Sequence, residues 1–141
     1  MLKKSTCLFV CALSFAAFLT VHGGKKIPEV SVTAKVVGDK IVVTYNIPKK
    51  LHQELNKDLF NFVVAPVKGV EFGEIVYPNQ KKKVKSGEKV VYRGKTVLTR
   101  SFKITGSPAS KKLKITASYQ VCLDEGMCLM PQSVEIELTL P

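Results

Sequence analysis

Apolar and polar residues alternate one by one along most of the chain beyond residue 28. Side chains of a β-strand point alternately to opposite faces, so this alternation predicts strands with one buried face. The clearest strands run from Lys112 to Val121 and from Ser133 to Leu140. Seven or eight such segments, with turn signals about every 8–12 residues, predict an all-β, immunoglobulin-like sandwich of antiparallel strands. Only Pro48 to Asn56 breaks the pattern, and we interpret it as a loop or short helical turn.

The first 23 residues predict a cleavable signal peptide. Two lysines precede an uncharged apolar stretch from Leu8 to Val21. This stretch of about 14 residues is shorter than the roughly 20 that a membrane-spanning helix needs. Val21 and Gly23 are small enough for the −3 and −1 positions of a cleavage site, so we place the cut after Gly23. Residues 24–141 then form one domain, exported to the periplasm.

The spacing of the cysteines is the most informative local feature. Export would remove Cys7 and Cys11, which leaves Cys122 and Cys128 with five residues between them. The turn-forming sequence Asp124-Glu125-Gly126 lies between the two, which predicts a β-hairpin with a cysteine on each side of its tip. Cysteines in an oxidising compartment tend to pair, so we expect a disulfide that another protein's thiol can reach.

The spacing alone leaves three interpretations of this pair open. A structural staple would close a short loop and stabilise the fold by roughly 2 kcal/mol in the chain-entropy estimate. A thiol–disulfide exchange site needs one sulfur open to attack and a second that resolves the mixed disulfide. The thioethers of Met127 and Met130, together with the thiolates, would suit a Cu(I)-handling protein.

The remaining residues exclude several classes of site. His52 is the one histidine after the predicted cleavage point, and we expect it at the surface, in a polar loop. Together with Cys122 and Cys128 it falls one ligand short of a zinc site unless an Asp or Glu from elsewhere completes the set. We therefore expect no metal and no cofactor.

The charge is strongly basic, with 22 Lys and Arg against 11 Asp and Glu. A basic exported protein meets anionic surfaces, acidic proteins or nucleic acid. The sequence has no nucleic-acid-binding motif, so we expect no nucleic-acid partner. Five lysines between Lys81 and Lys89 predict a positive loop, which is either an exposed edge strand protected by its charge or a segment that lowers the pKa of a nearby thiol.

The cysteine segment resembles the N-terminal domain of DsbD, a bacterial inner-membrane thiol:disulfide reductase. The residues that carry the resemblance are Tyr119-Gln120, Cys122, Gly126, Cys128 and Pro131. The family has an aromatic residue where this chain has methionine just before its second cysteine. The resemblance is most specific from Leu113 to Leu138.

This resemblance implies an immunoglobulin-like domain whose cysteines shuttle between dithiol and disulfide. Cys128 would form mixed disulfides with thioredoxin-like periplasmic proteins, and Cys122 would resolve them. Such proteins include disulfide isomerases and the thioredoxins of cytochrome c maturation, with a membrane electron-transfer protein as another kind of partner. The family domain is fused to membrane and thioredoxin-like domains, so we expect this shorter chain to act as a standalone monomer. It would serve as a component of a protein-disulfide reductase system.

The resemblance also implies a cap and a docking rim around the cysteines. The family's cap loop aligns with Val84, Lys85 and Gly87, although its shielding aromatic residue is missing here. Either the valine and lysine side chains would cover the sulfurs, or Tyr92 or Phe72 would do so from elsewhere. The apolar rim for partner docking would consist of Leu123, Met127, Leu129 and Met130. The alternative to this whole assignment is an exported binding or adhesion sandwich with a purely structural disulfide.

Overall fold

Strands account for all the regular secondary structure in the part of the chain that the structure describes. This computed structural model describes residues 27–79, 83–84 and 87–141, so the predicted signal peptide lies outside the described residues. No helix in those ranges is long and apolar enough to cross a bilayer. The strands are β1 (Ser31–Val37), β2 (Lys40–Ile47), β3 (Leu51–Glu54), β4 (Asn61–Val64), β5 (Val70–Val76), β6 (Lys83–Val84), β7 (Gly87–Tyr92), β8 (Gly94–Ile104), β9 (Lys112–Tyr119), β10 (Val121–Leu123) and β11 (Gln132–Thr139).

Three antiparallel sheets make up the fold. The first has the strand order β1-β2-β8-β5, and the second has the order β11-β9-β4. The third, in the order β10-β3-β7-β6, carries the cysteine hairpin on its β10 edge. β9 and β10 are separated by Gln120 alone, so the chain passes from the second sheet to the third at that residue.

A single cluster of buried apolar side chains joins the sheets. β2 and β9 each turn every second side chain into this cluster, as their alternating sequences predict. Burial of apolar surface stabilises by roughly 25 cal/mol per Å², so this shared core holds the sheets together. The most fully buried large members are Tyr45, Tyr92, Phe60, Phe62, Ile41, Leu51, Leu98, Leu113 and Ile115.

The prediction of an all-β antiparallel sandwich is confirmed, although the strands are more numerous than the seven or eight expected. The described residues form eleven strands, because several are very short. The prediction of a loop or helical turn from Pro48 to Asn56 is wrong, since this segment contains β3. The first three residues of β3 are all buried, so both faces of this strand are covered and its sequence does not alternate.

A buried hydroxyl ties the first sheet to the second. The Tyr45 hydroxyl of β2 donates a 2.8 Å hydrogen bond to the Asn61 carbonyl of β4. The Tyr45 ring also meets Phe60 edge-on, with centroids 4.9 Å apart. Burial raises the pKa of Tyr45 well above its ordinary value near 10, since the ionised form would lose its hydration.

We expect Tyr45→Phe to destabilise the fold by about 1–3 kcal/mol at pH 8, because the Asn61 carbonyl loses its donor. Above a pH of about 10, the tyrosine ionises more readily in the unfolded chain than in the folded protein. The parent therefore loses stability through Tyr45 as pH rises, and the variant does not. Urea denaturation of both proteins at pH 8 and about pH 10.5 should show that the parent and the variant differ less in unfolding free energy at the higher pH. An equal difference at both pH values would contradict this account of Tyr45.

Candidate redox site

The cysteine segment forms a tight hairpin whose register is set by backbone hydrogen bonds. The Leu123 amide donates to the Met127 carbonyl over 2.7 Å, and the Gly126 amide donates to the Leu123 carbonyl over 2.9 Å. Gly126 has φ +104°, a conformation that residues with a Cβ rarely adopt. This three-residue loop with a final glycine is a common hairpin connection. It brings the segment after Met127 back alongside β10, where the Leu129 amide donates to the Val121 carbonyl.

Cys122 and Cys128 lie directly opposite each other in this hairpin and are joined by a disulfide. Their Cα atoms are 3.8 Å apart, and they form an antiparallel bridge between the two backbone hydrogen bonds that flank them. The two cysteines differ sharply in exposure. Cys122 is only 3% exposed, whereas Cys128 is exposed to solvent. The disulfide therefore joins one buried and one exposed cysteine.

Two glutamine side chains hold the hairpin against the rest of the fold. Gln53 of β3 is 1% exposed, and its Oε1 accepts a 2.8 Å hydrogen bond from the Gln120 amide. Its Nε2 donates to the Glu54 carbonyl over 2.8 Å. The Gln120 side chain in turn donates to the Leu129 carbonyl over 3.0 Å. Gln120 thus links the chain crossing between sheets to the segment that carries Cys128.

The prediction that His52 lies at the surface is wrong. His52 is 6% exposed and sits in β3, directly across from Cys122 on the neighbouring strand. Its Nδ1 lies 3.2 Å from Asp124 Oδ1 in the hairpin loop, and Arg93 Nη1 lies 2.7 Å from the same oxygen. Asp124 therefore holds the His52 ring in a fixed orientation, through a contact between residues far apart in the sequence.

The charges around Asp124 fix the hydrogen-bonding role of the His52 ring. The hydrogen bond from Arg93 is the main cause that lowers the pKa of Asp124, and the bond to His52 acts in the same direction. An ionised carboxylate can only accept hydrogen bonds, so Nδ1 of His52 must carry the proton in this contact. In the neutral ring the lone pair then resides on Nε2.

Glu54 adds an acidic group to the same face. Glu54 follows His52 by two residues in β3, so both side chains project to one side of the strand. A ring nitrogen of His52, a carboxylate oxygen of Glu54 and Sγ of Cys122 all lie within 4.8 Å of one another. Nitrogen, oxygen and sulfur donors of this kind are ligands for transition metals.

The sequence of this chain matches one protein family over most of its length. The family model described as "Thiol:disulfide interchange protein DsbD, N-terminal" matches residues 27–140. The chain belongs to the DsbD N-terminal domain family. The matched region contains both cysteines and every side chain of the site described above. No curated protein sequence matches the chain.

Solved structures of DsbD N-terminal domains share the fold. The reduced DsbD N-terminal domain of Neisseria meningitidis has a TM-score of 0.52 at 15% identity, over 78% of this chain and 84% of that one. The complex between the DsbD and PilB N-terminal domains of the same organism has a TM-score of 0.57 at 16% identity, over 81% of this chain and 88% of that one. The immunoglobulin-like fold predicted from the sequence is thereby confirmed.

The expected docking rim is unevenly exposed. Leu123 and Leu129 are half-buried and pack against the core, whereas Met127 is 59% and Met130 77% exposed. The two methionines are therefore the most exposed side chains of the expected rim. A cavity of about 520 Å³ adjoins Met130 and Leu129 and is lined by both apolar and polar residues, among them Ile27, Tyr119 and Glu29.

The expected cap lies mostly outside the described side chains. Val84 falls in β6 and Gly87 begins β7, and the two are paired in the register of these strands. Lys85 lies outside the described residues, as does most of the lysine-rich run. The two aromatic residues expected to replace the missing aromatic residue of the cap pack elsewhere in the fold. Tyr92 is buried beside Phe60, and Phe72 belongs to the first sheet, where its ring faces Arg100.

The sequence pattern does not indicate several residues of the site. It gives no signal for Gln53, Glu54 or Arg93, and it predicts a loop at His52, which lies in β3. A strand prediction for Leu51–Glu54 would have put His52 and Glu54 on one face, since they are two residues apart. Arg93 offers no such signal, because its contact with Asp124 joins positions far apart in the sequence.

Proposed function

We propose that this chain is a periplasmic thiol:disulfide interchange domain that passes electrons between thioredoxin-like proteins through a reversible Cys122–Cys128 disulfide. Membership of the DsbD N-terminal family supports this reaction class and location. The observation that carries the proposal is the unequal exposure of the two cysteines at a hairpin tip. A staple does not require one accessible sulfur, but exchange does. The proposal includes export, with cleavage after Gly23 and residues 24–141 as the mature domain.

In the electron-accepting direction, a partner thiolate attacks Cys128 Sγ. The intramolecular disulfide breaks and its electron pair leaves on Cys122, which becomes a thiolate and takes up a proton. The partner's second thiolate then attacks the partner sulfur of the mixed disulfide. This step forms the partner's own disulfide and releases Cys128 as a thiolate. Two electrons have moved to this domain.

In the electron-donating direction, the Cys128 thiolate attacks a partner disulfide and expels one partner thiolate. Cys122 then attacks Cys128 Sγ in the mixed disulfide. The intramolecular bond re-forms and the second partner thiolate leaves, so the partner is reduced by two electrons. The 3.8 Å separation of the two Cα atoms keeps Cys122 beside its target throughout.

Several features support a protein partner at this hairpin. Met127 and Met130 lie on either side of Cys128 in the chain and expose apolar surface, and methionine side chains adapt to different partners. One structural neighbour is a complex between a DsbD N-terminal domain and a PilB N-terminal domain. We therefore propose that Leu123, Met127, Leu129 and Met130 form the docking rim, with Val84, Lys85 and Gly87 in the cap.

The reduction potential of the disulfide tests this function. The oxidised protein is equilibrated with glutathione buffers, free thiols are alkylated, and the reduced fraction is measured by mass spectrometry. We expect a potential between about −270 and −120 mV, within the range of known exchange proteins. Circular dichroism at each point shows whether the domain stays folded. A potential below about −300 mV, or reduction only on unfolding, would identify a structural staple and overturn the proposal.

A further inference from the structure

We propose that the reduced protein holds a Zn²⁺ ion between Cys122, Cys128, His52 and Glu54. Sγ of Cys122, a ring nitrogen of His52 and a carboxylate oxygen of Glu54 already lie within 4.8 Å of one another. The fourth, Sγ of Cys128, is bonded to Sγ of Cys122 in the oxidised protein. The sequence alone left the site one ligand short, and Glu54 supplies the missing donor.

The spacing of the donors fits a tetrahedral ion. Zinc lies about 2.3 Å from sulfur and about 2.0–2.2 Å from nitrogen or oxygen, so its ligand atoms are roughly 3.3–3.8 Å apart. Opening the disulfide lets the two sulfurs separate to such a distance by rotation of their side chains. The donor atoms on Cys122, His52 and Glu54 are thus within about an ångström of the distances that the ion requires.

The donors are held by regular structure. Cys122 faces His52 across the β10–β3 pair, and Glu54 is two residues further along β3. Cys128 faces Cys122 from the returning segment of the hairpin. All four residues therefore belong to adjacent backbone segments with fixed register, so little conformational entropy remains to be lost on binding. His52 and Cys122 are buried and Glu54 is half-buried, which shields an ion from bulk water.

The contact between His52 and Asp124 provides the outer shell that zinc-binding histidines usually have. A zinc-bound imidazole typically donates its other ring N–H to a carboxylate, which fixes the tautomer and the ring orientation. Here Asp124 takes the Nδ1 proton, and Arg93 holds Asp124 in place. Nε2 is then the nitrogen left to bind the metal.

The donor set selects Zn²⁺ over the other common ions. Two thiolates, an imidazole and a carboxylate combine soft and borderline ligands, which suits zinc and not Mg²⁺ or Ca²⁺. Cu(I) would favour an all-sulfur set, and the exposed side chains of Met127 and Met130 are not gathered with the buried donors. Formation of the disulfide consumes both sulfur ligands, so the site exists in the reduced state alone. Bound zinc would in turn withhold both sulfurs from exchange.

The test is zinc binding by the reduced and the oxidised protein. The protein is reduced, freed of reductant without oxygen, and titrated with Zn²⁺ in competition with a chromophoric chelator. We expect one zinc per reduced chain and none per oxidised chain. Co²⁺ substitution should give thiolate charge-transfer and tetrahedral d–d absorption bands.

Two variants separate this site from an ordinary dithiol. His52→Phe and Glu54→Gln should each weaken zinc binding by at least about tenfold, since each removes one ligand or its charge. Glu125→Gln, in the exposed tip of the same hairpin, is the matched control and should bind as the parent does. Thermal melts of the oxidised forms establish that each variant is folded.

Equal affinity in parent, His52→Phe and Glu54→Gln would mean that the two thiols alone bind the ion, and would overturn the inference. Absence of binding to the reduced protein, or one zinc shared by two chains, would do the same. Zinc binding requires only that the thiols of Cys122 and Cys128 are free. Unfolding the protein and refolding it under reductant frees them even if the disulfide resists reduction in the folded state. A chain that fails to exchange with a partner but binds zinc through His52 and Glu54 would thus contradict the proposed function alone.

Discussion

Cys122→Ser is expected to accumulate a mixed disulfide on Cys128, while Cys128→Ser leaves the domain nearly unreactive. In the first variant the exposed cysteine forms the mixed disulfide, the resolving sulfur is absent, and only the thiol that the partner itself releases can reverse the step. In the second, the remaining thiol is 3% exposed and reacts only when the hairpin opens. A local opening that costs about 3 kcal/mol would slow its reaction roughly 100-fold.

Two measurements check this asymmetry. Each variant is mixed with an oxidised thioredoxin-like protein, and the adducts are counted and located by mass spectrometry after rapid acid quenching. Alkylation rates with iodoacetamide, in native buffer and in denaturant, isolate the effect of burial. The two variants should alkylate at similar rates when unfolded and at very different rates when folded. Equal rates in native buffer would contradict the assigned roles.

Gln53→Leu is expected to destabilise the fold by about 1–3 kcal/mol. The substitution removes the acceptor of the Gln120 amide and leaves that partly buried backbone group unsatisfied, which carries the main cost. It also removes one donor to the Glu54 carbonyl, which keeps its hydrogen bond from the Asn56 amide. The melting temperature should fall by roughly 10 °C for a domain of this size.

Gln132→Leu is the matched control, because Gln132 is exposed and makes one long hydrogen bond, 3.5 Å, to the Met130 carbonyl. It should change the free energy of unfolding by less than about 0.5 kcal/mol. Urea denaturation of both variants, with the disulfide intact, gives the comparison. Similar losses in the two would mean that the buried glutamine does not anchor the hairpin.

The sequence predicts the sheets of this domain better than it predicts the site. β2, β9 and β11 each turn one face towards the core, so their alternation is visible in the sequence. The hairpin tip is equally visible, because Gly126 and the cysteine spacing are local signals. A resemblance to one family then adds the reaction class, which composition and periodicity alone leave open.

The surroundings of the cysteines could not be predicted in the same way. β3 is four residues long and buried at its first three positions, so it shows no alternation, and Pro48 before it suggested a break. The group formed by His52, Arg93 and Asp124 joins three strands or loops that are remote in sequence. Such contacts follow from the sheet order β10-β3-β7, which the local pattern does not reveal.

The consecutive residues Tyr92 and Arg93 connect the hairpin to the core, and this connection decides whether the site can be moved to another protein. Tyr92 packs in the core at 5.4 Å from the Phe60 ring, and Arg93 reaches Asp124 in the hairpin. The surroundings of the disulfide are therefore built by β3 and the end of β7 together with the loop, and not by the loop alone. A graft of residues 119–132 onto another scaffold would transfer the two sulfurs but not the buried, charged setting of Cys122. A working transplant would have to include all three strands.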